Sequence, residues 1–402
     1  MASPRVPTAL RTVAAAALVV LTGGALVRTI AASFDPFQPY PGHTADYGIT
    51  RSRAIRSALP QIVASPQEGV IFLGSSGLGR AFVPGVFDDA LDHGHGRYAS
   101  FNLAQLLFQP ETALAMAKVI RQSYEASHKR IGITIFGVSV PELTRGAVQA
   151  ARRGMPDQAF VFESGDVLND RAHADPLGAI GDGLDLALFG NVRPAQVGRW
   201  VEDWMSAGPP ACASGMQPAT GGESAAAQAT FCDELRTQFP RGVPAWNPKT
   251  RGGFDFGLPE TRPALTRLIE LQASAASTPP LPSATHGPAL KDPNDIDDDA
   301  VRTMVAAVQE LQAVTGHTFV LRDILNPALL EPLPAEELAH WRAVAERIAR
   351  ESDATLLDLN DGTFVASDFG DRTHLHPLAA ERFSSLLAAR VRPMVQEHRA
   401  SR

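Results

Sequence analysis

The sequence predicts an α/β protein with a doubly wound parallel sheet of about five strands and a long insertion. Short apolar runs typical of buried strands alternate with longer segments of helical periodicity. The predicted strands are residues 69–73, 98–103, 131–138, 318–325 and 354–359. Because strands that alternate with helices form a parallel sheet covered on both faces, this order of elements decides the fold class.

The segments between these strands carry the start, face and stop signals of helices. Pro110 suits the first turn of a helix at 110–127. Gly316 is expected to end a helix that begins near residue 300. Apolar residues at helical spacing support that helix and the one at 335–351: Val301, Met304, Val305, Val308 and Leu311 in the first, and Leu338, Trp341, Val344 and Ile348 in the second. A last helix, at about 378–396, closes the chain.

The pattern divides the chain into parts of different character. Between about 145 and 300, Gly, Pro, Ala and Ser dominate and apolar runs are scattered, which indicates an insertion or lid. The predicted organisation is a signal anchor or signal peptide (1–33), a spacer with a short helix (34–68), a first core half (69–150), the insertion (151–299) and a second core half (300–398). The formal net charge of −7 and the absence of a basic stripe exclude nucleic acid as the main partner.

The N-terminus predicts export. Arg5 and Arg11 precede the uncharged run 12–27, and a basic flank before an apolar run is typical of a signal anchor or signal peptide. The run is slightly short for a span, which needs roughly 20 apolar residues. Residues 30–33 would serve as a cleavage site, and a cytoplasmic chain is the third alternative. We expect a single-pass membrane protein whose later residues are extracytoplasmic or periplasmic, or a secreted protein if the signal is cleaved.

The two cysteines fit an oxidising compartment. Cys212 and Cys232 flank a segment rich in Gly, Ala and Ser. A disulfide between them is expected outside the cytoplasm, whereas two separate thiols are the alternative. The cysteines lack the paired spacing of a zinc site, and no metal or other cofactor is predicted.

Two polar clusters follow predicted strands and carry the chemistry. Ser76 lies in GSSG directly after the first strand, and Asp371 and His374 lie in the loop after the last strand. Carboxyl ends of parallel strands meet at one edge of the sheet, so these clusters are expected to meet there. A serine needs an imidazole to accept its proton and a carboxylate to orient that imidazole. The sequence therefore predicts a catalytic triad of Ser76, His374 and Asp371.

Other interpretations of these residues are weaker. The glycines around Ser76 lack the spacing of a dinucleotide-binding loop, a P-loop or an α/β-hydrolase elbow, although a plain strand-to-helix turn remains an alternative. His374 and His376, beside Asp368 and Asp371, would also suit a metal ion, but the triad explains them without further ligands. His376, Arg80 and Asn102 are weaker candidates for substrate contact.

The segments VIFLGSSGLGR, FNLAQ and DFGDRTHLHPLAAERFSSLLA together resemble the SGNH (GDSL-like) hydrolases. Within this family, the three segments are most similar to the membrane-anchored branch that includes the teichoic-acid D-alanylation protein and alginate O-acetyltransferases. The resemblance covers about 69–150 and 300–396 and omits the insertion. It implies the flavodoxin-like SGNH fold and a serine esterase or O-acyltransferase that acts beside a membrane-bound O-acyltransferase partner.

The resemblance also assigns site residues. Ser76 matches the family nucleophile, while Ser75 stands where the family usually has Asp. Ala104 replaces the glycine whose N–H helps to form the oxyanion hole, and Ser139 replaces the asparagine donor. The implied oxyanion hole is therefore Ser76, Ala104 and Ser139, and the Ser139 hydroxyl is shorter than the asparagine side chain that it replaces.

Two function hypotheses follow. The first is an extracytoplasmic esterase or O-acyltransferase that acts on acyl esters of cell-envelope glycan or lipid. The second is a binding or scaffold protein on the same fold whose chemistry has decayed, which the replaced glycine and asparagine favour. Hydrolysis and transfer share an acyl-enzyme, so the sequence does not separate them.

Overall fold

The structure is a computed structural model. It describes residues 8–34, 44–106, 108–154, 158–162, 176–191, 197, 222–238, 246–253, 262–275, 295–330, 333–370 and 373–400.

The centre of the fold is a five-stranded sheet in which every pairing is parallel. Its strands are β1 (Glu68–Leu73), β2 (Tyr98–Asn102), β3 (Ile131–Val138), β4 (Thr315–Arg322) and β5 (Thr355–Leu357), in the order β2-β1-β3-β4-β5. The prediction of an α/β protein with five parallel strands is confirmed. β1 lies between β2 and β3, so residues that follow β1 are near the middle of the carboxyl edge.

Both faces of the sheet are covered by helices. In β1, Val70 and Phe72 belong to one apolar core, whereas Ile71 and Leu73 belong to another. Side chains alternate between the faces of a strand, so the two cores lie on opposite sides of the sheet. This explains why β1 reads as a continuous apolar run, as strands buried on both faces do.

The second of these cores is filled by α2 (Thr44–Ala64), α5 (Pro110–Ala126), α10 (Asp298–Gln312) and α12 (Ala335–Glu351). The first is filled by α3 (Ser76–Ala81), α4 (Pro84–Asp92) and α13 (Pro377–Ala400). With 21 residues, α2 is longer than the short helix predicted within the spacer at 34–68. It buries Ile55, Leu59 and Ile62, so it belongs to the core and is more than a spacer.

The prediction that Gly316 ends a helix is wrong. The helix α10 stops at Gln312, and Gly316 lies inside β4. A Cβ atom at Gly316 would sit 3.0 Å from the carbonyl oxygen of Gly132, so the close approach of β3 explains the glycine. The strand also ends at Arg322, three residues before its predicted end, which leaves Asp323 in the loop at the carboxyl edge.

The described parts of the insertion are mostly helical, and some of them pack on the core. They are α6 (Arg145–Gly154), a 3-10 turn (Phe160–Phe162), α7 (Pro176–Phe189), α8 (Gly222–Gln238) and α9 (Arg262–Ala275). Outside the insertion, a four-residue helix, α11 (Pro327–Leu330), follows β4. Phe162 and Trp246 are buried, and Trp246 Nε1 donates to the carbonyl oxygen of Asn102 at 2.9 Å. The insertion therefore supports the loop after β2.

The N-terminal helix α1 (Thr8–Ser33) is long and apolar enough to cross a membrane. Its segment Ala15–Ser33 has a mean hydropathy of 1.8, and only 11% of the apolar stretch is buried against the rest of the chain. A signal sequence has the same properties, so this finding is compatible with the predicted anchor or signal and does not show topology. The end of α1 contacts the core, since Arg53 Nη2 donates to the carbonyl oxygen of Ala31 at 3.0 Å.

Candidate active site

The loop after β1 presents two adjacent serines in different surroundings. Ser75 has an extended backbone and is buried, whereas Ser76 begins α3 and is partly exposed. The turn packs closely on β3, because a Cβ atom at Gly137 would overlap Leu78 and lie 2.9 Å from the carbonyl oxygen of Leu73. The glycine in β3 thus allows the turn that holds Ser76 at the carboxyl edge.

The structure brings Ser76 and His374 together. Nε2 of His374 lies 3.1 Å from Oγ of Ser76, although the two residues are 298 positions apart in the sequence. This is hydrogen-bonding distance, and both side chains are partly exposed. With Nε2 as the acceptor, the Ser76 hydroxyl points its proton at the imidazole, which is the arrangement that activates a serine.

The loop that carries His374 is held by backbone hydrogen bonds. Gly370 N donates to the carbonyl oxygen of His374, and His376 N donates to that of Asp368, both at 2.9 Å. Oγ1 of Thr373 lies 3.3 Å from Nδ1 of His374. Asp371, the predicted third member of the triad, lies outside the described residues, so its place relative to His374 stays a prediction.

Two of the three predicted oxyanion donors are already engaged. The N–H of Ala104 donates to Oδ1 of Asn102 at 3.2 Å. The Ser139 hydroxyl is hydrogen-bonded to the Asp323 carboxyl group. The N–H of Ser76 differs, because it lies in the first turn of α3, where helix geometry provides no backbone acceptor. Ser76 is therefore the best placed of the three.

Asn102 does not fit its predicted role as a substrate contact. Its side chain is fully buried, and Nδ2 donates to the carbonyl oxygens of Gly79 at 2.6 Å and Phe82 at 3.0 Å. These bonds tie the end of β2 to the C-terminal half of α3, the helix that begins at the nucleophile. Asn102 is thus a structural residue that fixes α3, and the correction follows from its burial.

A buried arginine supports the same loop. Arg51 of α2 is 1% exposed and donates through Nε to the carbonyl oxygen of Ala104. Its Nη2 donates to the carbonyl oxygens of Asn102 at 3.3 Å and Gly252 at 3.2 Å. Arg51 thereby joins α2, the loop after β2 and the insertion at one point.

Sequence reasoning missed Asp323, which lies beneath the nucleophile turn. Its Oδ2 accepts a hydrogen bond from Oγ of Ser75 at 3.3 Å, and Ser139 donates to the same carboxyl group. A Cβ atom at Gly77 would lie 3.6 Å from either oxygen of this group. Burial raises the pKa of Asp323 to about 7, against the opposing effect of these hydrogen bonds.

A second acid, Glu142, faces Asp323 from the 3-10 turn Val140–Leu143 after β3. Burial, together with the negative charge of Asp323, raises the pKa of Glu142 to about 8, while a backbone hydrogen bond from Phe108 opposes the shift. At neutral pH the pair of Asp323 and Glu142 is therefore partly protonated. The rule that singled out Ser76, a polar residue directly after a buried strand, also applies to Asp323, but the predicted end of β4 lay beyond it.

The weaker candidates have mainly local roles. Nδ1 of His376 accepts from the N–H of Ala379 at 3.1 Å, so the ring caps the start of α13. Burial lowers the pKa of His376; the charge of Asp368 opposes this and that of Arg382 adds to it. Arg80 is partly exposed on α3. Within the described ranges, no group of three or more His, Cys, Asp or Glu residues is arranged to hold a metal ion.

Cys232 is disulfide-bonded. Cys212, the only other cysteine in the sequence, lies outside the described residues. Of the predicted pair Cys212–Cys232, the structure therefore describes only Cys232.

Geometry is the only guide to the chemistry of this site. No model of a known protein family matches the chain, and no curated protein matches it either. What the arrangement can do follows from its groups: a hydroxyl oxygen, an imidazole nitrogen within hydrogen-bonding distance, and a backbone N–H beside the hydroxyl. These are the parts that nucleophilic attack on an acyl carbonyl requires.

Proposed function

We propose that this protein is an extracytoplasmic serine esterase or O-acyltransferase of the SGNH type, acting on acyl esters of cell-envelope glycan or lipid. The observation that carries the proposal is the 3.1 Å separation between Nε2 of His374 and Oγ of Ser76. The two residues come from loops at opposite ends of the core sequence, so their meeting is a property of the fold and not of local chain geometry.

The fold is consistent with the proposal. The strand order β2-β1-β3-β4-β5 is that of flavodoxin-like sheets, in which ligands bind beyond the carboxyl ends of the strands. Ser76 and His374 both follow strands at that edge. The same strand order occurs in many proteins of unrelated function, so the fold alone carries no activity.

The chemistry is an acyl transfer in two steps. Oγ of Ser76 forms a bond to the acyl carbon while its proton passes to Nε2 of His374, and the N–H of Ser76 stabilises the oxyanion. When the tetrahedral intermediate collapses, His374 returns the proton to the departing alcohol. Water or an acceptor hydroxyl then attacks the acyl-Ser76 ester, with His374 as the base, and restores the serine. Asp371 orients the imidazole in this proposal.

The N-terminal helix supports the proposed location. In this proposal α1 spans the membrane once with its N-terminal end in the cytoplasm, so the catalytic domain lies outside the cytoplasm, beside the membrane and its acyl-bearing lipids. The length and hydropathy of α1 support this arrangement. In the transfer form of the proposal, a membrane-bound O-acyltransferase works beside this protein. The disulfide at Cys232 suits an oxidising compartment.

The engaged oxyanion donors favour a second candidate, a binding or scaffold protein on this fold. Ala104 N–H is bonded to Asn102 and the Ser139 hydroxyl to Asp323, which leaves Ser76 N–H as the best-placed donor of the three. Losing one such donor costs roughly 100-fold or more in rate. A weak or absent turnover with an intact nucleophile would be the signature of this second function.

A fluorophosphonate probe tests the proposal on the full-length protein in detergent. Wild type is expected to be labelled at Ser76, and Ser76→Ala is expected to abolish labelling. Ser75→Ala is the matched control, because Ser75 is the neighbouring hydroxyl and faces Asp323. Equal labelling of wild type and Ser76→Ala would remove the nucleophile and with it the enzyme hypothesis.

An acetyl-ester turnover assay separates the two candidate functions. The enzyme hypothesis expects ester cleavage that depends on Ser76. Labelling of Ser76 without any turnover, with hydroxyl acceptors present or absent, would favour the scaffold hypothesis.

A further inference from the structure

The exposed apolar surface of the protein is concentrated on two helices. Large hydrophobic side chains that remain mostly exposed occur on α1 and on α7, and Val365 is the single further example among the described residues. On α7 they are Ile180, which is 62% exposed, and Leu184, which is 58% exposed. These two residues are four positions apart and therefore share one face of the helix.

The helix α7 packs directly on the C-terminal half of α1. Gly24 is buried, and a Cβ atom there would lie 2.9 Å from the carbonyl oxygen of Leu188. Nη1 of Arg28 donates to the carbonyl oxygen of Ala187 at 3.2 Å. A glycine that lets two helices approach closely is a common feature of helix contacts within membranes.

Arg28 marks a boundary along α1. It interrupts the apolar run, and its guanidinium reaches the carbonyl oxygen of Ala187 in the last turn of α7, where helix carbonyl groups lack partners within the helix. A charged side chain of this kind lies at the membrane interface more readily than at the bilayer centre. The contact with α7 is therefore at the level where α1 leaves the hydrocarbon.

The helix α7 is too short to cross the bilayer itself. Its 14 residues span about 21 Å, against about 30 Å of hydrocarbon. Its Asp182 side chain is buried, so that acid is withdrawn from the exposed face that carries Ile180 and Leu184. Asp185, the other acid of α7, is partly exposed. A short helix with one exposed apolar face and polar side chains beside it suits the membrane interface.

We infer that α7 is a second membrane contact of this protein, lying in the lipid interface beside α1 with Ile180 and Leu184 inserted among the acyl chains. The occupant of this face is lipid, because α7 packs at Gly24 and Arg28 on the same helix that carries the exposed apolar side chains of the proposed span. The inference rests on the proposed membrane anchoring by α1. Its consequence is that the insertion fixes the height of the catalytic domain above the membrane.

Spin labelling of the full-length protein in phosphatidylcholine and phosphatidylglycerol vesicles tests the inference. Cysteine replaces Ile180 or Leu184 in turn, and each is modified with a nitroxide. Cys232 is already disulfide-bonded, and unsubstituted protein gives the background labelling. Val19→Cys on α1 is the lipid reference, and Val365→Cys, in the loop after β5, is the matched exposed apolar control.

Labels at 180 and 184 are expected to relax faster with dissolved oxygen than with an aqueous nickel chelate, as the label at 19 does. The label at 365 is expected to show the opposite preference. If 180 and 184 behave like 365 while 19 reports lipid, the anchor stands and the inference about α7 is wrong. If the label at position 19 also reports water, then α1 does not anchor the protein in the membrane, and the inference about α7 is wrong as well.

Discussion

Oγ of Ser75 donates a hydrogen bond to Oδ2 of Asp323 across 3.3 Å, linking the loop after β1 to the loop after β4. Ser139, in the loop after β3, donates to the same carboxyl group. Three neighbouring strand ends thus meet at one buried acid, which contacts the residue that precedes the proposed nucleophile. The protonation of Asp323 is therefore expected to affect both the stability of this edge and its chemistry.

Asp323→Asn is expected to flatten the dependence of stability on pH. The pKa of Asp323 is raised to about 7 in the folded protein, so its stabilising contribution is complete below its unfolded pKa of about 4 and is lost as the pH rises through 7. Asparagine stays neutral at every pH. The free energy of unfolding of the variant, relative to that of wild type, should therefore rise by about 2–4 kcal/mol as the pH increases from 4 to 8. Urea unfolding at several pH values measures this gain.

Glu142→Gln, at the other acid of the Asp323–Glu142 pair, is also expected to reduce the dependence of stability on pH. Because the negative charge of Asp323 contributes to the raised pKa of Glu142, removing either acid should lower the pKa of the other and reduce the pH dependence. Stability curves for wild type and both variants that run parallel from pH 4 to pH 8 would show that folding raises the pKa of neither acid.

The core strands were predictable because burial on both faces leaves a plain sequence signal. Continuous apolar runs such as 131–138 contain little except buried residues, and β3 has those bounds. The signal fails where an element ends by tertiary contact. Gly316 looked like a helix stop, but its lack of a side chain serves the close approach to Gly132.

The candidate site was predictable only in part. Ser76 and His374 were found because strand ends in a parallel sheet share an edge, and the structure brings them to hydrogen-bonding distance. The bonds that engage Ala104 and Ser139 depend on Asn102 and Asp323, whose side-chain directions no spacing rule gives. Arg51 lies in a helix expected to be a spacer, so its support of the site had no sequence signal.

Arg51→Met is expected to destabilise the protein by about 3–5 kcal/mol. The substitution keeps most of the apolar stem but removes the donor that Arg51 gives to the buried carbonyl oxygens of Ala104 and Gly252, while that of Asn102 keeps Trp246 as a donor. Arg302→Met is the matched control, because Arg302 is exposed and pairs with Asp299 on the surface of α10. Thermal unfolding of both variants is the measurement, and equal, small losses would contradict the role of Arg51.

Gly137→Ala is expected to cost about 1–3 kcal/mol of stability and to displace the nucleophile turn. The added methyl group would overlap Leu78 and crowd the carbonyl oxygen of Leu73, so the turn must move. Gly181→Ala, whose Cβ atom meets nothing within 4 Å, is the control and should be neutral or slightly stabilising. A Gly137→Ala protein as stable as wild type would mean that the turn and β3 lie further apart.

His374→Asn is expected to slow the labelling of Ser76 by a fluorophosphonate about 10²–10⁴-fold, the usual contribution of a general base. Asparagine is polar and shorter, so it keeps a partly exposed position filled while losing the nitrogen that lies 3.1 Å from the serine oxygen. His95→Asn is the matched control, since His95 is exposed in the turn before β2, at the opposite edge of the sheet. Labelling rates are measured on folded protein, with unfolding temperatures recorded alongside. If both histidine variants label Ser76 at the wild-type rate, then His374 does not take the proton, and the short distance between the two side chains has only a structural meaning.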